Sequence, residues 1–385
     1  MSLNKLVLAA AVAAMLPMSG VVHAQAGPYK VLQTVKVGGD GGSDYITTDS
    51  ENRTLYIARS GPAGHIPVYS LDTFAQVGDI PGTSGHGGAV DDSTGHGFAT
   101  SKPVTMFDAK TFAVIKKIDV QGNPDGYLND PLYHRFYVLS HAAPNITVLD
   151  DKDGTILGTI DIGGMPEQAA TDGRGHIYVD IEDKGAIAVI DAKTMTMTGK
   201  YDISSKSGGC AGLALDAKNN ILFAACRDKN DMVILSATDG HILADLPTGV
   251  GCDGAGFNPA TMEAFSAQGD GTLTVVKESS PTSFAVEQTV TTPVRARTLT
   301  IDYKTGHILL ITAEYGPAPA AAAPAPAAAP TSATSAVPAP APAAGAPPVA
   351  GQGGPGAPGG GRPGGFRGPR APMIPGSFSI VVVGK

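Results

Sequence analysis

Tryptophan is absent from this sequence of 385 residues, and cysteine occurs only three times. The missing tryptophan excludes sites built on tryptophan stacking. Without any C-x-x-C pair, the three cysteines exclude c-type haem attachment and cysteine-rich zinc modules. Charged residues make up only 16% of the chain, and the net charge of −8 argues against binding nucleic acid through its phosphates. Beyond the first residues no apolar run reaches the ~18 residues of a transmembrane helix, so we expect no membrane span.

Residues 1–24 have the pattern of a secretory signal peptide. Lys5 supplies the positive start, residues 6–16 form an apolar run, and residues 22–24 (VHA) offer a small-x-small cleavage site. Cleavage there would place residues 25–385 in the periplasm or outside the cell, where disulfides are stable.

Residues 316–375 have a composition unlike the rest of the chain. Of these 60 residues 47 are Pro, Ala or Gly, and the only charges are three arginines, Arg362, Arg367 and Arg370. Such a segment cannot bury enough apolar surface to offset its ordering entropy, so we expect a disordered insertion. Together with Lys5 these arginines are four of the positive charges, which leaves −12 on the remaining chain. We hypothesise that the insertion tethers to this acidic body or to an anionic cell-envelope polymer.

The rest of the sequence repeats. An Asp or Asn ends a short apolar stretch and is followed by a polar turn and a second apolar stretch, at spacings of 38 to 44 residues. These landmark positions are Asp49, Asp92, Asp130, Asp172, Asp216, Asn258 and Asp302. A period of ~40–45 residues with short strands is typical of a β-propeller with one four-stranded blade per repeat. We therefore predict an all-β fold, a seven-bladed β-propeller, formed by residues 25–385 as a single domain.

The two ends of the chain predict how the ring closes. Residues 30–38 read as an outer strand with no inner strands before it, whereas residues 297–302, 307–314 and 378–384 read as three strands with no outer one. We predict that the N-terminal strand joins the C-terminal blade, because closing the ring removes exposed sheet edges. The insertion would then lie between the second and third strands of that blade.

Several segments resemble the YncE-like, YVTN-repeat family of seven-bladed propellers. The segments that carry the resemblance are 123-NPDGYLND, 163-GGMPEQAATDGRGHIYVDIEDKGAIAVIDAKT, 211-AGLALDAKNNILFAAC, 249-GVGCDGAGFNPAT, 270-DGTLTVV, 294-VRARTLTIDYKTGHILL and 377-SFSIVVVGK. The YVTN tetrad itself is degenerate here, as IYVD at 177–180 and LFAA at 222–225. The resemblance implies a secreted propeller that acts as a binding protein.

Charged residues recur where the inner strands begin, five residues before each landmark. The positions are Asp44, Gly87, Asp125, Glu167, Ala211, Asp253 and Arg297, with His86 one residue before Gly87. In a propeller this level surrounds the opening of the central channel, where crowded charges are costly unless they are paired or bind something. The predicted ligand-binding residues are Asp44, His86, Asp125, Glu167, Asp253 and Arg297.

Three interpretations of this ring compete. The acids cap turns or pair with Arg297, or they bind a cation, an amine or a polar small molecule, or one of them is a general base assisted by His86. No cofactor is firmly implied, although Ca²⁺ or another divalent cation would find oxygen ligands here. An outer wall of solvated loop residues is expected from Arg59, Lys102, His141, Glu182, Arg227 and Glu314.

The cysteines predict one disulfide. A turn centred near Lys218 places Cys210 opposite Cys226 on antiparallel strands, within disulfide range. Cys252 holds the same repeat position as Cys210, so it either pairs with Cys210 instead or stays a free buried thiol.

The predicted function is a periplasmic or secreted binding or scaffold protein, expected as a monomer, whose partner is a small molecule or a cell-envelope component. A lactonase-type or other hydrolase that uses the same opening is the first alternative. DNA binding is the second, and the acidic charge argues against it. Salt-sensitive retention on single-stranded DNA would identify that second alternative.

Overall fold

The fold is a seven-bladed β-propeller, as the repeat predicts. The computed structural model describes residues 27–317 and 371–385, which form seven sheets of four antiparallel strands arranged in a ring. The predicted signal peptide and most of the predicted insertion lie outside these described residues.

The blades follow one another along the chain, and each runs from an inner strand at the channel to an outer strand. Blade 1 contains β2 (Gly42–Asp49), β3 (Thr54–Ser60), β4 (His65–Ser70) and β5 (Gln76–Pro81). Blade 2 contains β6 (Gly85–Asp91), β7 (His96–Ser101), β8 (Val104–Asp108) and β9 (Val114–Ile118). Blade 3 contains β10 (Pro124–Asp130), β11 (Arg135–Ser140), β12 (Ile146–Asp150) and β13 (Ile156–Ile160).

The remaining blades keep this order, and the last one takes its outer strand from the start of the chain. Blade 4 contains β14 (Pro166–Thr171), β15 (His176–Ile181), β16 (Ala186–Asp191) and β17 (Thr196–Asp202), with a turn of 3-10 helix at Glu182–Lys184. Blade 5 contains β18 (Cys210–Asp216), β19 (Ile221–Cys226), β20 (Asp231–Ser236) and β21 (Ile242–Pro247). Blade 6 contains β22 (Cys252–Asn258), β23 (Glu263–Gln268), β24 (Thr272–Ser280) and β25 (Ser283–Thr291). Blade 7 contains β26 (Leu299–Asp302), β27 (His307–Thr312), β28 (Ser379–Gly384) and β1 (Lys30–Lys36).

Blade 7 closes the ring in the predicted way. β1 pairs antiparallel with β28, from Lys30 opposite Gly384 to Lys36 opposite Ser379. Inner strands of consecutive blades are neighbours around the ring, and β26 contacts β2. The predicted insertion lies between β27 and β28, and Tyr315, directly before it, forms an antiparallel bridge with Met373 near its C-terminal end.

The hydrophobic core is divided into seven clusters, one between each pair of neighbouring blades. Phe98 of blade 2 stacks on Phe136 of blade 3 with ring centroids 4.9 Å apart, and Phe223 of blade 5 stacks on Phe257 of blade 6 at 5.4 Å. All four strands of a blade carry apolar residues toward the next blade, so the blades are held together face to face while the channel stays polar.

The repeated Asp or Asn holds the turn that follows each inner strand. In every blade a side-chain oxygen of this residue accepts a hydrogen bond from a backbone N–H two or three residues later, at 2.7 to 3.2 Å. In blade 2 the residue is Asp91, which ends β6, and the assignment of Asp92 from the sequence was wrong by one residue. The error arose because both positions are aspartate, and its correction moves His86 onto the same level as Asp44 and Asp125.

Glycine in the inner strands permits close approach around the channel. A Cβ on Gly126 would lie 2.2 Å from the carbonyl oxygen of Glu167, and one on Gly212 would lie 2.7 Å from the backbone of Gly254 and Ala255. Adjacent inner strands therefore need glycine at these points.

The predicted disulfide joins Cys210 and Cys226, and Cys252 is a free, buried cysteine. A turn centred at Lys218 would place Leu215 opposite Ile221, whereas the structure places Leu215 opposite Leu222. An irregularity between Cys210 and Gly212 restores the pairing of Cys210 with Cys226.

Reduction of this bond is expected to lower the free energy of unfolding by about 3 kcal/mol, the value typical of a loop of about 15 residues. Urea unfolding with and without a reductant measures the loss, and the double variant C210A/C226A should be insensitive to the reductant. Thiol titration in denaturant should find one thiol before reduction and three after it. Three thiols before reduction would contradict the pairing.

Candidate functional site

The structure brings all six predicted site residues into one chain of polar contacts at the mouth, the end of the ring where the inner strands begin. Three residues that directly follow second strands complete it. We call the set the mouth chain; its members are Asp44, His86, Asp125, His141, Glu167, Glu182, Arg227, Asp253 and Arg297. Every blade contributes to it, and acidic and basic side chains alternate along it.

Two histidines alternate with three carboxylates across blades 1 to 4. His86 Nδ1 lies 2.6 Å from Asp44 Oδ2 and 3.2 Å from Asp125 Oδ1. His141 Nδ1 lies 3.2 Å from Asp125 Oδ2, and His141 Nε2 lies 2.8 Å from Glu167 Oε2. Asp125 therefore uses both carboxylate oxygens to join the two histidines. We call these five residues the histidine half.

Two arginines continue the chain across blades 4 to 7. The Arg227 guanidinium contacts Glu182 Oε1 at 2.5 Å, donates to Asp253 Oδ1 and lies 4.0 Å from Glu167 Oε1. Arg297 Nε contacts Asp253 Oδ2 at 2.9 Å. We call Glu182, Arg227, Asp253 and Arg297 the arginine half.

Most side chains of the mouth chain are shielded from solvent, and solvent reaches the mouth chain at one place. Asp125, Glu167 and Asp253 are buried, whereas the side chains of Asp44, His86 and Arg297 are 25%, 40% and 51% exposed. These three residues belong to adjacent blades, and the Thr298 hydroxyl donates to the Asp44 carbonyl at 2.9 Å, which joins blade 7 to blade 1. A ligand from solvent would therefore meet Asp44, His86 and Arg297 first.

Buried groups under the mouth chain fix its backbone. Asp180 Oδ1 accepts hydrogen bonds from the backbone N–H groups of Glu167 and Gln168 at 3.3 and 2.6 Å. Tyr45 donates to the Glu167 carbonyl at 3.0 Å. Burial raises the pKa of Asp180 well above its usual value, so this group holds its site as a neutral acid or at a large desolvation cost.

Two groups of the histidine half have raised pKa values. Burial, with the nearby Glu167 charge, raises the pKa of Asp125 to about 6. The hydrogen bond that His86 donates to the Asp44 carboxylate raises the pKa of His86 against the opposing effect of burial. Both shifts favour the protonated form and indicate a surplus of negative charge around Asp125.

The sequence predicted the site residues at the start of the inner strands and missed the three that directly follow second strands. His141, Glu182 and Arg227 were expected in a solvated outer wall. His141 and Arg227 instead link carboxylates of different blades, and Glu182 is one of the carboxylates that Arg227 joins. Their signal was their position directly after β11, β15 and β19, since antiparallel pairing returns the second strand to the start of the first.

Arg59 was also placed in the outer wall, and the structure contradicts this. Its side chain is buried, its guanidinium lies 3.3 Å from the centre of the Phe378 ring, and it donates to the Asp40 carbonyl at 3.1 Å. Burial lowers the pKa of Arg59 to about 10. Arg59 therefore packs blade 1 against blade 7.

The free cysteine lies beside the arginine half without reactive character. Burial raises the pKa of the Cys252 thiol to about 12, and its backbone carbonyl accepts a hydrogen bond from Arg227 Nε at 2.7 Å. A protonated, buried thiol makes a poor nucleophile, so Cys252 contributes packing and a carbonyl to the site.

The histidine half offers two overlapping sets of metal ligands. Asp44, His86 and Asp125 present ligand atoms within 4.8 Å of one another, and so do Asp125, His141 and Glu167. Histidine nitrogen with carboxylate oxygen is a donor combination that divalent transition metals accept.

Comparisons with known proteins support the fold and the family resemblance. No family model matches the chain. Two curated relatives are the proteins named "Uncharacterized protein YncE" of Salmonella typhi and Salmonella typhimurium, each 24% identical over 194 residues, which cover 48% of this chain and 54% of the relative. The match thus spans about half the length of these relatives, and the resemblance to YncE-like propellers holds at that level.

Solved propellers share the architecture at low sequence identity. U3-55K superposes with a TM-score of 0.61 at 10% identity, covering 75% of this chain and 92% of that chain. The RRP9 WD40 repeats superpose with a TM-score of 0.62 at 10% identity, covering 75% of this chain and 92% of that chain. A chain of the mitotic checkpoint complex superposes with a TM-score of 0.59 at 12% identity, covering 80% of this chain and 96% of that chain. These likenesses show the β-propeller fold. Within the described residues, no helix has the length and apolarity to cross a membrane.

Proposed function

We propose that this protein is a binding protein whose ligand site is the mouth, and that the histidine half holds a divalent cation. The observation that carries the proposal is the mouth chain, which draws charged side chains from all seven blades to one opening. If these charged side chains only stabilised the fold, separate ion pairs within a blade or between two neighbouring blades would be enough. They would not need to converge from every blade. The disulfide is compatible with a site of action in the periplasm or outside the cell.

The donor set favours a transition metal over Ca²⁺. Around an ion with bonds of ~2.1 Å, neighbouring ligand atoms lie roughly 3.0–3.4 Å apart. The 3.2 Å separation of His86 Nδ1 and Asp125 Oδ1 already fits, and the 2.6 Å separation of His86 Nδ1 and Asp44 Oδ2 would widen by less than 1 Å. Ca²⁺ prefers six to eight oxygen ligands, and the histidine nitrogens do not serve it.

A cation in this position would create a site for an anionic group. Arg297 is half exposed and lies on the blade next to Asp44, so its guanidinium and the cation would flank the same opening. A planar guanidinium beside a metal suits a carboxylate or a phosphate. The ligand class proposed is therefore a small molecule or envelope component that carries such a group.

The proposal is tested by calorimetric titration of the chelator-treated protein with Zn²⁺, Mn²⁺ and Ca²⁺. Saturable binding of Zn²⁺ or Mn²⁺ is expected, with Ca²⁺ at least about tenfold weaker. R297Q serves as the control, since it removes a charge at the mouth and no proposed metal ligand, and it should bind the cation as tightly or more tightly. Failure of all three ions to bind would contradict the proposal.

Cation affinity is expected to fall at least about tenfold between pH 7.5 and pH 5.5, because protons compete for the ligands. At pH 5.5 both Asp125, with its pKa of about 6, and His86, with its raised pKa, are mostly protonated. At pH 7.5 Asp125 is ionised and His86 releases its proton more readily. Titration at the two values checks this, and an affinity independent of pH would show that neither group is a ligand.

A hydrolase of the lactonase type is the second candidate. The observation that favours it is Asp125, whose pKa of about 6 suits a general base near neutral pH. Hydrolysis of a panel of lactones and esters by the metal-loaded protein, lost in D125N, would establish this activity. Binding without turnover would leave the binding function.

A further inference from the structure

A second group of carboxylates and a histidine lies on the face opposite the mouth, between blades 2 and 3. Asp91 ends β6, His134 lies in the turn between β10 and β11, and Asp151 follows β12. Their ligand atoms lie within 4.8 Å of one another. His86 and Asp91 stand at opposite ends of β6, roughly 17 Å apart along an extended strand, so this group is separate from the mouth chain.

Both carboxylates of this group are buried, and three of their four oxygens lack a hydrogen-bond donor among the described residues. The Asp151 side chain is fully buried, and neither of its oxygens accepts from a donor group among the described residues. Its neighbour is the Asp91 carboxyl, which is close enough to share a proton with it. Asp91 is also buried; Oδ1 accepts from the Ser93 N–H at 2.8 Å, and Oδ2 has no partner in the same part of the chain. Buried carboxylate oxygens normally accept hydrogen bonds or bind a cation.

The His134 ring lies beside both carboxylates. His134 Nδ1 lies 3.4 Å from Asp151 Oδ2 and 3.9 Å from Asp91 Oδ2. Both distances are longer than the donor–acceptor distance of a good hydrogen bond, so the three groups are spaced apart around a common point. The His134 side chain is 40% exposed, so the space opens to solvent on that side.

The other blades show what is unusual at this place. In blade 1 the residue equivalent to His134 is Arg53, whose guanidinium neutralises the buried Asp302 at 2.7 Å. At the position of Asp151, blades 2, 4 and 5 have alanine, at Ala109, Ala192 and Ala237. Blade 6 also has a buried carboxylate at this position, Glu278, but there Asn219 donates a hydrogen bond to it at 2.8 Å. Blade 3 differs in placing a histidine beside its second buried carboxylate.

The surrounding charges do not balance the two acids. Lys152 and Asp150 act on Asp151 with opposite signs. His96 Nδ1 lies 3.2 Å from the backbone carbonyl of Asp151, and the Ser93 hydroxyl lies 3.5 Å from His134 Nδ1. The site therefore lacks about one positive charge relative to its counterpart in blade 1.

We propose that Asp91, His134 and Asp151 bind a divalent transition-metal ion that fastens blade 2 to blade 3. One nitrogen and two or three carboxylate oxygens form a ligand set that suits Zn²⁺, with water in the open position. Because the ligands come from two blades, the bound ion stabilises the interface between them.

A proton shared by the two acids is the competing occupant. Burial and the neighbouring Asp91 raise the pKa of Asp151 to about 8, so without a cation one proton remains on the pair at neutral pH. The two occupants predict different responses to Zn²⁺, which makes the choice measurable.

The test uses D151A and H134N, since alanine and asparagine stand at the equivalent positions of blade 5, Ala237 and Asn220. Each substitution is combined with D125N, which removes the shared ligand of the mouth. After Zn²⁺ loading and dialysis at pH 7.5, elemental analysis should find one Zn²⁺ per D125N chain. D125N/D151A and D125N/H134N should retain none, with affinity lowered more than about 100-fold.

Melting temperatures with and without Zn²⁺ provide the second measurement. Zn²⁺ should raise the melting temperature of D125N and leave that of D125N/D151A unchanged. Equal Zn²⁺ content and equal shifts in the two variants would overturn the proposal and identify the shared proton. Because D125N is present throughout, a failure of the mouth to bind metal leaves this result unaffected.

Discussion

The substitution D125N is expected to lower the affinity of the mouth for a transition-metal cation by more than about 100-fold, because it removes a charged ligand from both overlapping ligand sets. Asparagine keeps the size of the side chain and one carbonyl oxygen but loses the negative charge. Calorimetric titration of D151A and D125N/D151A at pH 7.5 measures the change without a contribution from the carboxylates on the opposite face.

The fold of D125N should be unaffected. The raised pKa of Asp125 means that its ionised form is disfavoured in the native state relative to the unfolded state. Ionisation of Asp125 therefore lowers the free energy of unfolding as the pH rises from about 4 through 6. A neutral asparagine avoids that loss, and D125N should unfold at the same urea concentration as wild type or a higher one at pH 7.5.

D253N is the matched comparison. Asp253 stands at the same level of blade 6 as Asp125 does in blade 3, and its ion-pair partners are the arginines Arg227 and Arg297. Its substitution should change cation affinity less than about threefold. Equal losses in D125N and D253N would show a general effect of mouth charge, and the histidine half would then have no special role.

Replacing Tyr29 with alanine is expected to lower the free energy of unfolding by about 3–5 kcal/mol, the usual cost of removing a buried aromatic ring. Tyr29 precedes β1 and is 4% exposed. Its ring packs edge-on against Phe265 of blade 6, and its hydroxyl donates to Glu263 Oε2. Gln288 makes two further hydrogen bonds with its backbone, at 2.9 and 2.7 Å.

The effect should be large because the residue before β1 and the residue after β28 meet at Glu263. Lys385 Nζ contacts Glu263 Oε1 at 2.9 Å, so Glu263 binds the residue before β1 and the residue after β28. Loss of Tyr29 would loosen β1 and expose the edge of β28 in blade 7. Urea unfolding at pH 7.5 measures the change.

Y29F separates the ring from the hydroxyl. It keeps the packing against Phe265 and loses a hydrogen bond to a charged group, so a smaller loss of about 1.5–3 kcal/mol is expected. If Y29A unfolds within about 1 kcal/mol of wild type, the N-terminal segment does not hold the ring closed.

The fold was predictable because one physical device recurs in every blade. Asp49 and its equivalents cap the turn after each inner strand, and this fixes their spacing in the sequence. The same device caused the error in blade 2, since Asp91 and Asp92 are both able to cap and only the pairing of Asp91 with His96 decides between them.

The candidate site was less predictable because it depends on strand pairing. Irregularities near the start of β10 and β14 set which residue of the second strand faces the carboxylate of the first. Sequence spacing does not reveal these shifts. His141 and Arg227 were therefore read as surface residues, although they join the carboxylates into a chain. The Cys210–Cys226 pair was predicted correctly because the irregularity in β18 compensated for a turn placed one residue away.

The most direct test of the metal-binding mouth is a crystal structure of the Zn²⁺-loaded protein with anomalous data at the zinc edge. We expect an anomalous peak about 2.0–2.2 Å from His86 Nδ1 and from carboxylate oxygens of Asp44 and Asp125. A mouth without a peak, in which His86 still contacts Asp44 and Asp125 directly, would contradict it.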